Sequence, residues 1–284
     1  FYREYRFAEV FATLKRAPEP VAERLRAIPG VAHLETRVIA GVKLEVENFS
    51  DPITGLLLSV PDNSEPLLNT LYLKRGRMVQ PYSTDEVVLS DTFADAHQLQ
   101  PGDKLAAIIN GKRKLLTIVG VAVSPEYVYQ IAPGAMFPDY KRYGVLWMGR
   151  HALAAAYDVA GAFNNVTLML SKGAQVQEVI DRADAILGTY GGTGAYGRKD
   201  QFSNRFLSEE LKQLQTTATI FPAIFLGVAA FLLNVVVSRL IALQREQIAT
   251  LKAFGYTYFA IGWHYVKLVM LMVIFGVAGG IALG

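Results

Sequence analysis

The sequence predicts an α+β domain over residues 1–202, a stalk helix over 203–215 and transmembrane α-helices over 216–284. Hydrophobic residues make up 52% of the 284 yet 19% are charged, a mixture suited to a soluble part joined to a membrane part. The charges are unevenly placed. After Gln213 only Arg239, Arg245, Lys252, Lys267 and Glu246 are charged, so the entire net charge of +3 lies there. Upstream, segments of period two alternate with segments of period near 3.6, the pattern of a mixed strand and helix layer.

The elements follow in order. "FAEVFATL" (7–14) alternates as a strand, and "EPVAERLRAI" (19–28) places Val21, Leu25 and Ile28 on one helical face before Pro29-Gly30 stops it. "VAHLETRVIAGVKLEV" (31–46) returns as a strand with Val38, Ala40, Val42, Leu44 and Val46 on one face. A second unit has "NNVTLMLSK" (164–172) as strand, "AQVQEVIDRADAIL" (174–187) as helix through Val176, Val179, Ile180, Ala183 and Leu187, and "GTYGGTGAYG" (188–197) as loop. Two strand–helix–strand units of this kind suit a ferredoxin-like layer. Between them residues 86–123 read as a β-rich insertion: a strand, a short helix, then a hairpin turning at Asn110-Gly111, which suits a type I′ turn. Residues 124–148, rich in Pro, Gly and Tyr, read as a surface loop.

Enzyme chemistry finds little support. With no cysteine, disulfides, thiolate catalysis and cysteine metal sites are excluded. His33, His97, His151 and His264 have no metal-ligand spacing. "GGTGAYG" lacks the lysine of a phosphate loop and reads as a turn. Asp91, Asp95 and His97 lie close together, but Ser90 and Asp91 are explained by a helix start, where a carboxylate meets exposed amides. No catalytic, cofactor or metal residues are assigned. The neutral outer part offers no nucleic-acid surface. "FYREYRFAEVF" has no basic region followed by an apolar one, so no signal peptide is expected in it, and the chain is expected to be part of a longer protein.

Residues 216–237 carry no charge, and 22 helical residues reach roughly 33 Å, enough for a bilayer core of about 30 Å. Pro222 is tolerable near the start of such a span. A second apolar run follows Trp263, with Arg239, Trp263, Tyr265 and Lys267 as membrane-interface residues. The connection between the runs carries Arg239, Arg245 and Lys252. By the positive-inside rule it lies in the cytoplasm, and residues 1 to about 205 lie on the opposite side. The stalk "SNRFLSEELKQLQTT", with Leu207, Leu211 and Leu214 at helical spacing, runs into the first span without a break before Pro222.

The connection itself is helix-periodic. Ile248, Leu251 and Phe254 recur every three residues among Gln244, Arg245, Gln247 and Thr250, and Gly255 falls where a helix end needs positive φ. It reads either as a charged spacer or as a short amphipathic helix facing a partner.

These features resemble the FtsX/MacB-type permeases of ABC transporters. "IPGVAHLETRV", "EVVLSDTFADAHQLQPGDKLAAII" and "LTIVGVAV" look like the extracytoplasmic core domain of that family. Its R-E-I-x-x-L-R-A-x-G run is matched by Arg245, Glu246, Ile248, Leu251, Lys252, Ala253 and Gly255. Lys252 stands in place of an arginine, and Lys267 where an acidic residue often opens the next span. The resemblance implies a non-catalytic, multi-pass subunit of a bacterial cytoplasmic membrane, in contact with lipid. It further implies a cytoplasmic ABC ATPase, a second permease copy or repeated half, and an extracytoplasmic accessory protein. It makes Gln244, Arg245, Glu246, Ile248, Leu251, Lys252, Phe254 and Gly255 the ATPase-coupling residues. Efflux, lipoprotein release and cell-envelope signalling are the processes such permeases serve. The alternative is a membrane-anchored binding or sensor module without ATPase coupling.

Overall fold

Residues 31–46 alternate as one strand but form two, in different sheets. The structure, a computed structural model, describes residues 4–47 and 49–283. In chain order its elements are β1 (Val10–Pro18), α1 (Pro20–Arg26), β2 (Val31–Arg37), β3 (Ile39–Glu45), β4 (Ile53–Val60), β5 (Tyr72–Gly76), β6 (Glu86–Ser90), α2 (Asp91–Ala96), β7 (Lys104–Ile109) and β8 (Lys112–Val123). There follow β9 (Tyr143–Gly149), α3 (Arg150–Ala156), β10 (Ala162–Leu170), α4 (Val176–Leu187), β11 (Tyr196–Gly197), α5 (Phe202–Leu243), α6 (Arg245–Ala253) and α7 (Tyr258–Leu283). The chain divides into two compact units, Phe1–Glu210 and Leu211–Gly284.

The break between β2 and β3 is made by side chains. Val38 exchanges bonds with Ser59, its amide donating to Ser59 Oγ (2.8 Å) and its carbonyl accepting from the Ser59 amide (2.9 Å). Asn164 acts as a strand partner for Ile39, taking its N–H on Oδ1 and donating Nδ2–H to its carbonyl, both at 2.7 Å. The backbone can therefore leave one sheet for another with its polar groups satisfied. Alternation could not reveal the change, because both strands keep a period of two.

The first sheet has order β11-β1-β10-β2 with every neighbour antiparallel. Helix α1 joins β1 to β2 across β10, and α4 joins β10 to β11 across β1, so two strand–helix–strand units are interleaved. One face buries Val10, Ala12, Leu14, Val166 and Leu168 against Val21 and Leu25 of α1 and Val179 and Ala183 of α4. Val176, placed on the apolar face by its spacing, opens the helix and is exposed. The loop predicted at 188–197 contains β11, whose two residues pair with Val10 and Phe11. A strand that short shows no period.

Residues 39–149 build the second sheet, in order β5-β8-β6-β9-β4-β3-β7. β8 spans 12 residues and also pairs with β7, so six of the strands close on themselves and leave no open edge between β7 and β8. The hairpin turns at Asn110 (φ 47°) and Gly111 (φ 76°), both left-handed as a type I′ turn requires. Strand β9 corrects the loop predicted over 124–148, since its last residues form a central strand beside β4 and β6. All seven of its residues are buried: Leu146 and Met148 face the core made with α2 and α3, while Tyr143, Val145 and Trp147 face a second apolar layer. A strand covered on both faces loses its alternation.

The two sheets meet over a buried ion pair. Arg37, the last residue of β2, gives Nη1–H and Nη2–H to the two carboxylate oxygens of Glu126 at 2.6 and 2.9 Å. Its Nε and Nη2 also donate to Asn165 Oδ1 of β10 at 3.0 and 2.7 Å. Asn69 Nδ2 donates to Glu126 at 2.9 Å, and Asn69 Oδ1 accepts from the Ala8 amide at 2.9 Å. Both charged side chains are buried, at 7% and 5% exposure.

Removing one partner of such a pair leaves a charge stranded out of water and costs about 3–5 kcal/mol. Arg37→Met is therefore expected to lower the unfolding midpoint of the α/β unit, followed by Trp147 fluorescence in a Trp263→Phe background. Arg37→Met with Glu126→Met should cost less than the sum of the two single changes.

Candidate functional site

Helix α5 begins against the α/β unit, and residues 124–130 strap it there. Gln201 Nε2 donates to the Glu126 carbonyl at 2.7 Å, and the Tyr129 amide donates to Ser203 Oγ at 2.8 Å. The Tyr129 ring packs on Phe206 with centroids 4.7 Å apart, and its hydroxyl donates to the Glu210 carboxylate. That bond, with burial second, pushes the Tyr129 phenol up to about 12, so it stays protonated. Glu126 thus touches both the inter-sheet ion pair and the residue before the stalk. Sequence reading missed this group. Its trace in the sequence is Glu35 and Arg37, two charges spaced to share one face of β2.

α5 then runs for 42 residues with Pro222 inside it, past the predicted end at Val237 to Leu243. It and α7 are long and apolar enough to cross a membrane, with mean hydropathies of 2.5 and 2.1 over an 18-residue stretch of each. A single non-helical residue, Gln244 (φ −95°, ψ 17°), separates α5 from α6. Its amide still bonds to Leu240 and its carbonyl accepts from Ile248, so the turn breaks direction without losing either bond.

α6 ends where Gly255 was expected to end it. Gly255 has φ +90°, its amide donates to the Lys252 carbonyl at 2.9 Å, and the Tyr256 amide donates to the Leu251 carbonyl at 3.2 Å. These are the two bonds of a Schellman motif, satisfying carbonyls that the helix end would orphan. At 100° per residue, Ile248, Leu251 and Phe254 cover one arc, while Arg245 and Lys252 lie together beside it. Phe254 is 78% and Leu251 41% exposed, and Ile248 is half-buried. Glu246 stands in the first turn and Lys252 in the last, each sign favoured by the helix dipole there.

Two contacts tie α6 to α7. Tyr265, predicted as an interface residue, donates its hydroxyl to Gln244 Oε1 at 2.7 Å. The Lys252 ammonium sits 3.7 Å from the Tyr258 ring centroid and bonds its hydroxyl. Trp263 stacks on Phe259 at 6.3 Å and is half-exposed, and Arg239 and Lys267 are exposed. His264 is exposed beside Tyr265.

In the α/β unit the other polar candidates are accounted for structurally. Lys74 pairs with Asp91 (2.7 Å), Arg75 pairs with Asp95 (2.6 Å), and His97 Nε2 lies 2.8 Å from the Lys141 carbonyl with its ring against Phe49 and Phe93. Ser90 does occupy the residue before α2 but does not cap it. Its hydroxyl donates to Gln130 (2.8 Å), because the neighbouring buried amide oxygen competes for it. Gly191 and Gly194 turn with positive φ on the way to β11. No group of three potential metal ligands occurs among the described residues.

A folded α/β domain joined by a helix to membrane-length helices, with a capped polar helix between them, defines a membrane protein with a large domain outside the lipid. Residues 219–284 match the FtsX-like permease C-terminal family model. No curated protein matches the chain in sequence. Among solved structures it is similar to the periplasmic region of MacB from Actinobacillus actinomycetemcomitans at 12% identity and TM-score 0.43, covering 74% of this chain and 95% of that one. It is also similar to the extracellular domain of the noncanonic ABC-type transporter YknZ from Gram-positive bacteria, at 12% identity and TM-score 0.43, covering 67% and 98%. A domain of a permease protein from Porphyromonas gingivalis gives 12% and 0.40, covering 68% and 90%.

Gly255 is the position at which the cap is most exposed to test. Alanine there meets no steric neighbour but must hold a left-handed conformation, at about 1–2 kcal/mol. In Gly255→Ala the Tyr256 amide is expected to exchange with solvent roughly tenfold faster, measured by hydrogen exchange on the reconstituted protein.

Proposed function

We propose that the chain is the permease subunit of an ABC transporter of the FtsX/MacB mechanotransmission type, in which a separate cytoplasmic ATPase drives movement of the α/β domain. The observation that carries this reading is α6. It is a helix of nine residues, closed at one end by a Schellman cap and held at both ends by α7, that still leaves Leu251 and Phe254 open beside two cations. A spacer needed only for charge would require none of these bonds. A partner-facing helix requires all of them, because its apolar ridge must keep a constant orientation to receive a push.

In this reading Arg239, Arg245 and Lys252 put α6 in the cytoplasm, and the α/β unit lies outside a bacterial cytoplasmic membrane. Gln244, Arg245, Glu246, Ile248, Leu251, Lys252, Phe254 and Gly255 form the ATPase contact. Closure of the ATPase displaces α6. α5 carries the displacement, since an unbroken helix transmits motion that a flexible linker would absorb. The strap at Tyr129 and Glu126 then receives it at the junction of the two sheets. A second copy or repeated half would complete the permease, and an accessory protein would meet the outer domain.

Glu246→Lys combined with Leu251→Asp reverses a charge and breaks the ridge while keeping Gly255 and the backbone groups that make the cap. The double variant is expected to lose ATPase co-purification and stimulation of ATP hydrolysis while the α/β unit keeps its unfolding midpoint. Unchanged pairing and stimulation would favour an anchored binding module instead.

A further inference from the structure

A cavity of about 250 Å³ lies where the strap meets the first residues of α5. The strap and the residues after it supply Tyr127, Tyr129 and Ala132, the helix start supplies Phe202, and β9 supplies Tyr143. All of them belong to the α/β unit. The charged residue in its wall is Glu126, whose carboxylate is already engaged by Arg37 and Asn69. The cavity therefore offers a ligand no free charge among the described residues.

Two of its tyrosines carry hydroxyls that the fold does not use. Tyr143 is 6% exposed, and the Tyr127 ring packs edge-on against Trp147 with centroids 6.5 Å apart. Neither hydroxyl has a hydrogen-bond partner among the described residues, whereas Tyr82, Tyr129 and Tyr157 engage theirs with Asn63, Glu210 and Gly41. The side-chain atoms that are both sealed in packed protein and unpartnered are Thr92 Oγ1 and Thr167 Oγ1. The Tyr127 and Tyr143 hydroxyls are not among them, so they open onto space rather than packed atoms. Burial pushes the Tyr143 phenol up to about 12. Burial first, and the Glu126 carboxylate second, raise Tyr127 well above the usual phenol range. Both are thus protonated donors, and a buried phenol ordinarily finds a partner.

Size narrows the ligand. An apolar cavity of roughly 150 Å³ accepts benzene, and drug-sized ligands fill about 300 Å³ or more. The volume here lies between the two and suits one aromatic ring with a short substituent. We infer that the cavity binds a small neutral aromatic molecule carrying one oxygen acceptor, which takes an O–H from Tyr127 or Tyr143 while its ring lies among the aromatic walls. The site stands apart from whatever α6 meets. Its walls join Tyr127 and Tyr129 to Phe202, so an occupant binds the strapped form of α5 and not a form in which the strap has lifted.

The probes are acetophenone and benzene, titrated into the full chain in nanodiscs. Hydrogen exchange of the Tyr129 amide, which donates to Ser203 Oγ, reads occupancy. The Tyr256 amide of the α6 cap reports partition into lipid. Acetophenone is expected to slow Tyr129 exchange saturably, by about tenfold at a concentration near ten times Kd, and to leave Tyr256 unchanged. Tyr143→Phe or Tyr127→Phe should weaken acetophenone roughly fivefold, the worth of one hydrogen bond, and leave benzene unmoved. Ala132→Phe fills the cavity and should abolish binding of both probes. Slowing at Tyr129 no greater than at Tyr256 would overturn the site. So would binding that survives Ala132→Phe, which places the ligand elsewhere. An acetophenone affinity untouched by the two tyrosine changes together would overturn recognition by the phenols. Those changes keep both rings, and an unaltered unfolding midpoint of each variant shows that the unit is intact.

Discussion

The buried pair of Arg37 and Glu126 organises the α/β unit. A guanidinium with two carboxylate bonds and two more to Asn165 is satisfied at four points, which is what makes its burial tolerable. Each partner comes from a different part of the chain: β2 and β10 from the interleaved sheet, residue 126 from the segment after β8, and Asn69 from the segment before β5. The pair therefore holds two sheets in one register, and hydrophobic contact alone would leave them freer to slide. Its orientation is fixed by a planar fork that a lysine could not reproduce.

The same carboxylate residue leads outward to the stalk. The Glu126 carbonyl accepts from Gln201, and three residues later Tyr129 grips Ser203, Phe206 and Glu210. A displacement of α5 would reach the ion pair through two hydrogen bonds and a ring contact. At the other end, Gln244 and Gly255 bound α6 by opposite means. Gln244 breaks the helix while keeping its bonds, and Gly255 ends it by adopting a conformation costly for other residues.

Legibility in the sequence tracked how local each cause was. Asn110-Gly111, Gly255 and the apolar rows of α1 and α4 depend on neighbours within a turn or two, and the structure keeps all of them apart from Val176. β9 was hidden because burial on both faces erased its period. The β2–β3 break was hidden because Ser59 and Asn164, far off in sequence, supply the bonds that allow it. Ser90 illustrates the same limit, since its hydroxyl turned to Gln130 40 residues away.

What the sequence by itself determined is the division of the chain: a charged, alternating α/β part, then uncharged runs of membrane length around a polar helix with a glycine stop. Hydropathy, charge and backbone preference are properties of short segments and need no fold to be read. Only the tertiary structure decided that residues 31–46 serve two sheets, that a ladder closes through β7 and β8, and that Arg37, Glu126 and Tyr129 stand in one line to α5. Those facts rest on which distant groups satisfy a buried charge or a freed backbone bond, and such pairing exists only once the chain has folded.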